Sequence, residues 1–164
     1  MQFFHARFMT ACDGAPEDSE KRVGAPARGE FGGSQMASYR ILHVEDEPDI
    51  REVVKISLLL DPDITVKSCD GAACALTEAA DWQPDIILMD AVMPVMDGTQ
   101  ILAQLREDKR TAAIPVVFMT ARAQESEIER FRALGAAGVI AKPFDPLTLA
   151  RSVRACLGER AAVS

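Results

Sequence analysis

The sequence predicts an α/β protein built on a doubly wound, five-stranded parallel sheet in the order 2-1-3-4-5, with helices on both faces. Three observations carry that reading. Short apolar runs alternate five times with longer amphipathic ones along the chain. The short runs are apolar at nearly every position, as parallel strands buried on both faces require. Finally, 164 residues with 48% hydrophobic side chains are enough for one such core, and far too apolar for wholesale disorder.

Each element follows in order. Ile41-Leu42-His43-Val44 is a first buried strand, and residues 48–60 form a helix with Ile50, Val53, Val54 and Ser57 at helical spacing. Ile64-Thr65-Val66 is a second strand, and the alanine-rich 71–80 a second helix. Asp85-Ile86-Ile87-Leu88-Met89 is a third strand, followed by a helix over 98–106 with Ile101, Leu102 and Leu105 on one stripe. Pro115 to Met119 is the fourth strand, 124–134 the fourth helix, and Val139-Ile140 a short fifth strand. The closing helix, 145–157, carries Leu147, Leu149, Val153 and Leu157. Five such units wind as a flavodoxin-like (βα)5 sheet.

Residues 1–38 have a different texture: one Val (Val23), no Leu or Ile, and five of the ten glycines. Such a segment buries too little to offset its ordering entropy, so it is expected to be a loose tail. Its Phe3, Phe4, Phe8 and Phe31 are its few large apolar groups, and Met36-Ala37-Ser38 resembles a translation start. The globular domain is expected over 39–158, with 159–164 a C-terminal tail and no room for a further domain. The net charge is −7, and 13 Lys and Arg face 19 Asp and Glu between Arg40 and Gly158, so the acidity belongs to the domain. An acidic face argues against nucleic-acid binding. Cys12, Cys69, Cys74 and Cys156 form no C-x-x-C pair or zinc spacing and read as reduced thiols. No apolar run approaches the roughly 20 residues of a spanning helix. A soluble, cytoplasmic protein away from membranes is expected.

Ligands of open α/β sheets sit at the carboxyl ends of the strands. Glu45, Asp46 and Glu47 follow the first strand, Asp90 the third, Thr120 the fourth and Lys142 the fifth. The predicted strand order brings Glu45, Asp46, Asp90, Thr120 and Lys142 to one edge. Two like charges about 4 Å apart repel by about 4 kcal/mol at an effective dielectric near 20. Lys142 supplies one counter-charge, and a hard divalent cation with oxygen ligands, Mg²⁺, suits the remainder. Glu47 and Asp49 read instead as solvated loop acids or helix caps.

At these residues the chain resembles a response-regulator receiver domain of two-component signalling. The resemblance runs from Arg40 to about Gly158 and rests on Val44-Glu45-Asp46-Glu47-Pro48, Leu88-Met89-Asp90, Met93-Pro94-Val95-Met96-Asp97-Gly98, Met119-Thr120-Ala121 and Ala141-Lys142-Pro143-Phe144. With no output domain expected after it, the chain is similar to stand-alone chemotaxis-type regulators. The resemblance implies a phosphoacceptor rather than an enzyme, with self-catalysed phosphotransfer and autodephosphorylation. Asp90 would take the phosphoryl group from a phosphohistidine. Asp46 would bind Mg²⁺ directly, with Glu45 beside it and the Val92 carbonyl as a further ligand. Thr120 and Lys142 would hold phosphoryl oxygens, and Lys142-Pro143 would be cis. Asp97-Gly98 would start the third helix. The donor, a histidine kinase or histidine phosphotransfer protein, would dock around Ile50 to Val54 and Pro143-Phe144. An unidentified downstream protein would read the fourth helix, fifth strand and fifth helix.

Two departures from the family pattern stand out. Val139 occupies the switch position where Tyr or Phe is usual, and Val92 and Arg122 occupy positions that tune phosphoryl lifetime in the family. Three rival readings are weighed. An aspartyl-phosphate hydrolase would want an acid where Val92 stands. A flavodoxin-like cofactor binder would want a Gly/Ser/Thr-rich loop where Glu45-Asp46-Glu47-Pro48-Asp49 stands. A pseudo-receiver that binds partners without phosphorylation remains the third.

Overall fold

The computed structural model describes residues 38–161. The tail expected at 1–38, with its phenylalanines and Cys12, falls outside that range except for Ser38. Among the described residues five strands and five helices alternate: β1 (Tyr39–Val44), α1 (Pro48–Leu59), β2 (Ile64–Cys69), α2 (Ala72–Trp82), β3 (Ile86–Asp90), α3 (Gly98–Glu107), β4 (Val116–Thr120), α4 (Glu125–Ala133), β5 (Gly138–Ala141) and α5 (Leu149–Ala161). The strands form one parallel sheet in the order β2-β1-β3-β4-β5, as the sequence predicts. α5 continues past Gly158 into residues assigned above to the C-terminal tail.

Successive residues of a strand point to opposite faces, and that alternation sorts the core into two layers. Leu42, Val44, Ile87, Met89 and Phe118 pack with Ala75, Ala79, Ile101, Leu102, Leu105 and Phe131 of α2, α3 and α4. Ile41, Ile86, Leu88, Val117 and Met119 pack with Val54, Leu58, Leu149 and Val153 of α1 and α5. Being buried on both faces is why β3 reads as an unbroken apolar run.

Several expectations are corrected. Leu147 is 79% exposed rather than on the α5 core stripe. Asp145 holds residues 145–148 in a turn, its carboxylate accepting from the Leu147 N–H (2.9 Å) and its carbonyl from the Thr148 and Leu149 N–H groups, so the helix begins four residues late. Val53 faces outward at 48% exposure, and Leu58 takes the buried place beside Val54 and Ser57. Cys69 and Cys74 are joined in a disulfide rather than standing as separate thiols. β2 runs three residues beyond the expected Val66, and the turn at Asp70-Gly71 returns the first turn of α2 over its end, leaving the two Cα atoms 5.6 Å apart. That separation lies within disulfide range.

Candidate functional site: an acidic pocket at the strand ends

The parallel registers align the ends of the central strands. Val44 pairs with Met89, Asp90 with Met119, and Thr120 with Ala141, so the residues that follow emerge side by side. Glu45 and Asp90 are buried, as is Thr120. The carboxylate oxygens of Glu45, Asp46 and Asp90 lie within 4.8 Å of one another. Lys142 reaches in from β5, its Nζ donating to Glu45 Oε2 at 2.9 Å and lying 3.3 Å from Asp90 Oδ1. The Lys142-Pro143 bond that follows is cis, as expected. Glu45, Asp46, Asp90 and Lys142 thus meet at one place, and Thr120, buried at the end of β4, emerges from the neighbouring strand.

Local sequence explains how each is held. The Glu45 N–H donates to the Cys69 carbonyl at 3.0 Å, extending the β1–β2 ladder by one step. Arg51, one turn into α1, donates from its guanidinium to the carbonyls of Glu45 (2.8 Å) and Asp46 (3.3 Å). Glu47 takes the N-cap position of α1 without a capping side-chain bond, and Pro48 opens the helix, where its missing N–H costs nothing. Asp97 caps α3 by accepting from the Gln100 N–H at 3.0 Å, with the Gln100 side chain returning to the Asp97 N–H. Gly98 then passes directly over the Asp90 main chain. A Cβ there would come within 2.6 Å of the Asp90 carbonyl oxygen and 2.8 Å of the Phe118 ring. The role read for Asp97-Gly98, closing the loop and starting the helix, is the one the structure shows.

Electrostatics follow the burial. Burial pushes the Glu45 carboxyl above the usual glutamate range, against the pull of the Lys142 ammonium. Burial alone would lower Lys142, but its hydrogen bond and ion pair with Glu45, joined by Asp90, leave it above its ordinary value. The ammonium therefore pairs with two of the three carboxylates. Hard oxygen donors this close fit a divalent cation such as Mg²⁺.

The remaining expected residues frame the pocket. The Val92 N–H donates to Asp90 Oδ1 at 3.3 Å, and its side chain stands 75% exposed. The Thr120 hydroxyl accepts from the Arg122 N–H at 3.0 Å, and the Arg122 side chain is exposed. Thr120 does not cap α4; Gln124 occupies that position. Val139 is partly buried beside Phe118, its partner in register, and Phe131, whose rings are 4.6 Å apart.

Two residues escaped the sequence reading. Arg51 could have been found, since it follows the acids it steadies by only five and six positions. His43 could not, because inside an apolar run it looks like any buried strand residue. It is fully buried one residue before Val44, with neither ring nitrogen hydrogen-bonded. Burial, helped by the positive charges of Lys142 and Arg51, pushes its pKa down to about 3, so the ring is neutral.

The fold and pocket define a class: α/β proteins that gather acids, a hydroxyl and a lysine at the carboxyl edge of a parallel sheet. Comparison with known proteins makes the class specific. The family model described as "Response regulator receiver domain" matches residues 41–154, and the chain belongs to that family. It is 40% identical to Response regulator Rre1 of Synechocystis sp. over 128 residues, covering 76% of this chain and 54% of Rre1. It is 34% identical to Protein PilH of Pseudomonas aeruginosa over 119 residues, covering 72% of this chain and 97% of PilH. The structure of chemotaxis response regulator CheY4 of Vibrio cholerae superposes with a TM-score of 0.66 at 28% identity, covering 72% of this chain and 98% of CheY4. The chain spans about half the length of Rre1 and nearly all of PilH.

Proposed function

We propose that this chain is a phosphorylatable receiver in which Asp90 accepts a phosphoryl group from a phosphohistidine donor. The observation that carries the reading is the pocket itself: three carboxylates within 4.8 Å, Lys142 against two of them, and Thr120 buried alongside. An Asp90 carboxylate oxygen attacks phosphorus in line with the P–N bond of the donor. A P–O bond forms, the P–N bond breaks, and the imidazole leaves with the electron pair. Thr120 already accepts a main-chain N–H, so its own O–H is available to donate to a phosphoryl oxygen. Lys142 pairs with another, exchanging part of its contact with Asp90 for the phosphate. The carboxylates of Glu45, Asp46 and Asp90, with the Val92 carbonyl, would hold Mg²⁺, which when bound neutralises charge on the transferring oxygens. In autodephosphorylation water attacks phosphorus and loses a proton, the P–O bond to Asp90 breaks, the carboxylate is restored and inorganic phosphate leaves.

The donor is a histidine kinase or histidine phosphotransfer protein. Its docking place is the apolar groove of about 560 Å³ lined by Asp49, Ile50, Val53, Lys142, Pro143 and Phe144, which opens beside the pocket. Output is read by another protein on α4, β5 and α5. Incubation with Mg²⁺ and acetyl phosphate, followed by intact mass, tests the covalent step. One added phosphoryl mass is expected on the native chain and none on Asp90→Asn. An adduct retained by the variant removes Asp90 from its role, and no adduct on either leaves a receiver that works by binding alone.

A further inference from the structure

The loop between β2 and α2 carries chemistry that phosphoryl transfer does not use. Cys69 ends β2 with 2% of its surface exposed, whereas Cys74, in the first turn of α2, is only partly buried. Cys74 also lines a cleft of about 510 Å³ that it shares with Asp46, Gly71, Met93 and Met96. The bridge spans only five positions of sequence. Closing so short a loop constrains the unfolded chain little, so the bond acts locally rather than as a global staple. What it touches locally is the acidic pocket, because the Cys69 carbonyl accepts the Glu45 N–H at 3.0 Å. Around Gly71 there is open space, with no atom within 4 Å of where a Cβ would stand, so the loop has room to move once released.

We propose that Cys69 and Cys74 form a reversible thiol–disulfide exchange site, opened by a dithiol and closed by a small-molecule disulfide, that clasps the β2–α2 loop to the acidic pocket. A thiolate of the dithiol attacks Cys74 Sγ, the sulfur of the less buried residue. The Cys69–Cys74 bond breaks, and Cys69 leaves as a thiolate that takes up a proton. The second thiol of the reagent then attacks its own mixed disulfide with Cys74 and releases Cys74, which is protonated in turn. Two electrons pass from the dithiol, which becomes a disulfide. Closure is the reverse exchange, with glutathione disulfide as the oxidant and two molecules of glutathione released. A bond between one sheltered cysteine and one less buried, beside a pocket of other function, suits such exchange better than permanent cross-linking.

The folded full-length chain is equilibrated in glutathione buffers of graded ratio, quenched in acid and labelled with a maleimide under denaturing conditions. Oxidised chains should carry two fewer adducts than reduced ones, with the loss mapped to the peptide holding Cys69 and Cys74. Dithiothreitol should restore both adducts without loss of far-UV circular dichroism. Full labelling of both cysteines at every ratio would overturn the proposal, as would a bond that yields only after denaturation. The clasp is read by amide hydrogen exchange at Glu45. That amide should exchange about tenfold faster in the reduced chain. It should match the reduced rate in the Cys69→Ser/Cys74→Ser variant under every buffer. Equal rates in the oxidised and reduced native chain would leave no clasp. None of these readouts uses phosphorylation, so their failure is separable from failure of the receiver reading.

Discussion

The acidic side of the pocket rests on β1 and β3, where Ile41 to Val44 and Ile86 to Asp90 are buried, whereas Lys142 follows β5, an edge strand with no buried residue. The element behind β5 is equally loose, since α4 buries only Phe131 among its residues. Carboxylates repel one another, and tight packing together with the Lys142 ammonium keeps them assembled. In the proposed function Lys142 shifts to pair with a phosphoryl oxygen, and few contacts on β5 would resist that shift. Val139 lies on that loose side, filling partly buried space against Phe118. As a small side chain it offers no ring to rotate, so motion on this side is expected in the strand and helix themselves.

The sharpest break of the acidic side is Asp90→Asn. It should fold with unchanged thermal stability yet take no phosphoryl group from acetyl phosphate, read by intact mass.

Next in size is the acid lability of β1. His43 has a folded pKa of about 3 against an ordinary 6.5, so below pH 6.5 the unfolded chain binds a proton that the folded chain refuses. Stability is therefore lost as pH falls from 6.5 toward 3, at about 1.4 kcal/mol per pH unit while the difference persists. Urea titrations across that window should show the slope in the native chain and a flatter one in His43→Leu. Parallel slopes would mean that His43 is not the group responsible.

Gly98→Ala should cost about 2 kcal/mol, because its methyl meets main chain on one side and a packed ring on the other. A denaturation midpoint equal to the native one would show that α3 can retreat and that this side is looser than its burial implies. Asp46→Asn should weaken Mg²⁺ binding by about tenfold, roughly 1.4 kcal/mol, with the fold intact. An unchanged Mg²⁺ titration would place the cation elsewhere.

The smallest effect probes phosphoryl lifetime. The Val92 side chain is exposed at the pocket rim and offers no hydrogen bond to an attacking water. Val92→Asn supplies one, and a tenfold faster decay of phosphorylated protein after donor removal needs about 1.4 kcal/mol of barrier. Equal or slower decay takes Val92 out of the hydrolytic step.

Much of this protein was legible in one dimension. Strand placement, sheet order and the set Glu45, Asp46, Asp90, Thr120 and Lys142 follow from apolar runs and the polar residues just beyond them. Helix faces were read less well. Val53 and Leu147 fit an apolar stripe by spacing, but one points to solvent and the other lies in a turn set by Asp145. The Cys69–Cys74 bond was missed because no spacing rule covers a strand, a turn and a helix start.

What the sequence determined by itself is periodicity and punctuation: which segments must be buried on both faces, and which chemistry each strand delivers at its end. Those are properties of consecutive residues, and a parallel sheet turns them into position with little freedom. Only the tertiary structure decided the particular side-chain contacts. It put Lys142 against Glu45 across 97 positions, sealed His43 beneath them in neutral form, and brought Cys74 back over Cys69. Such outcomes depend on where helices pack and loops return, which burial, charge and chain geometry settle together and no local pattern records.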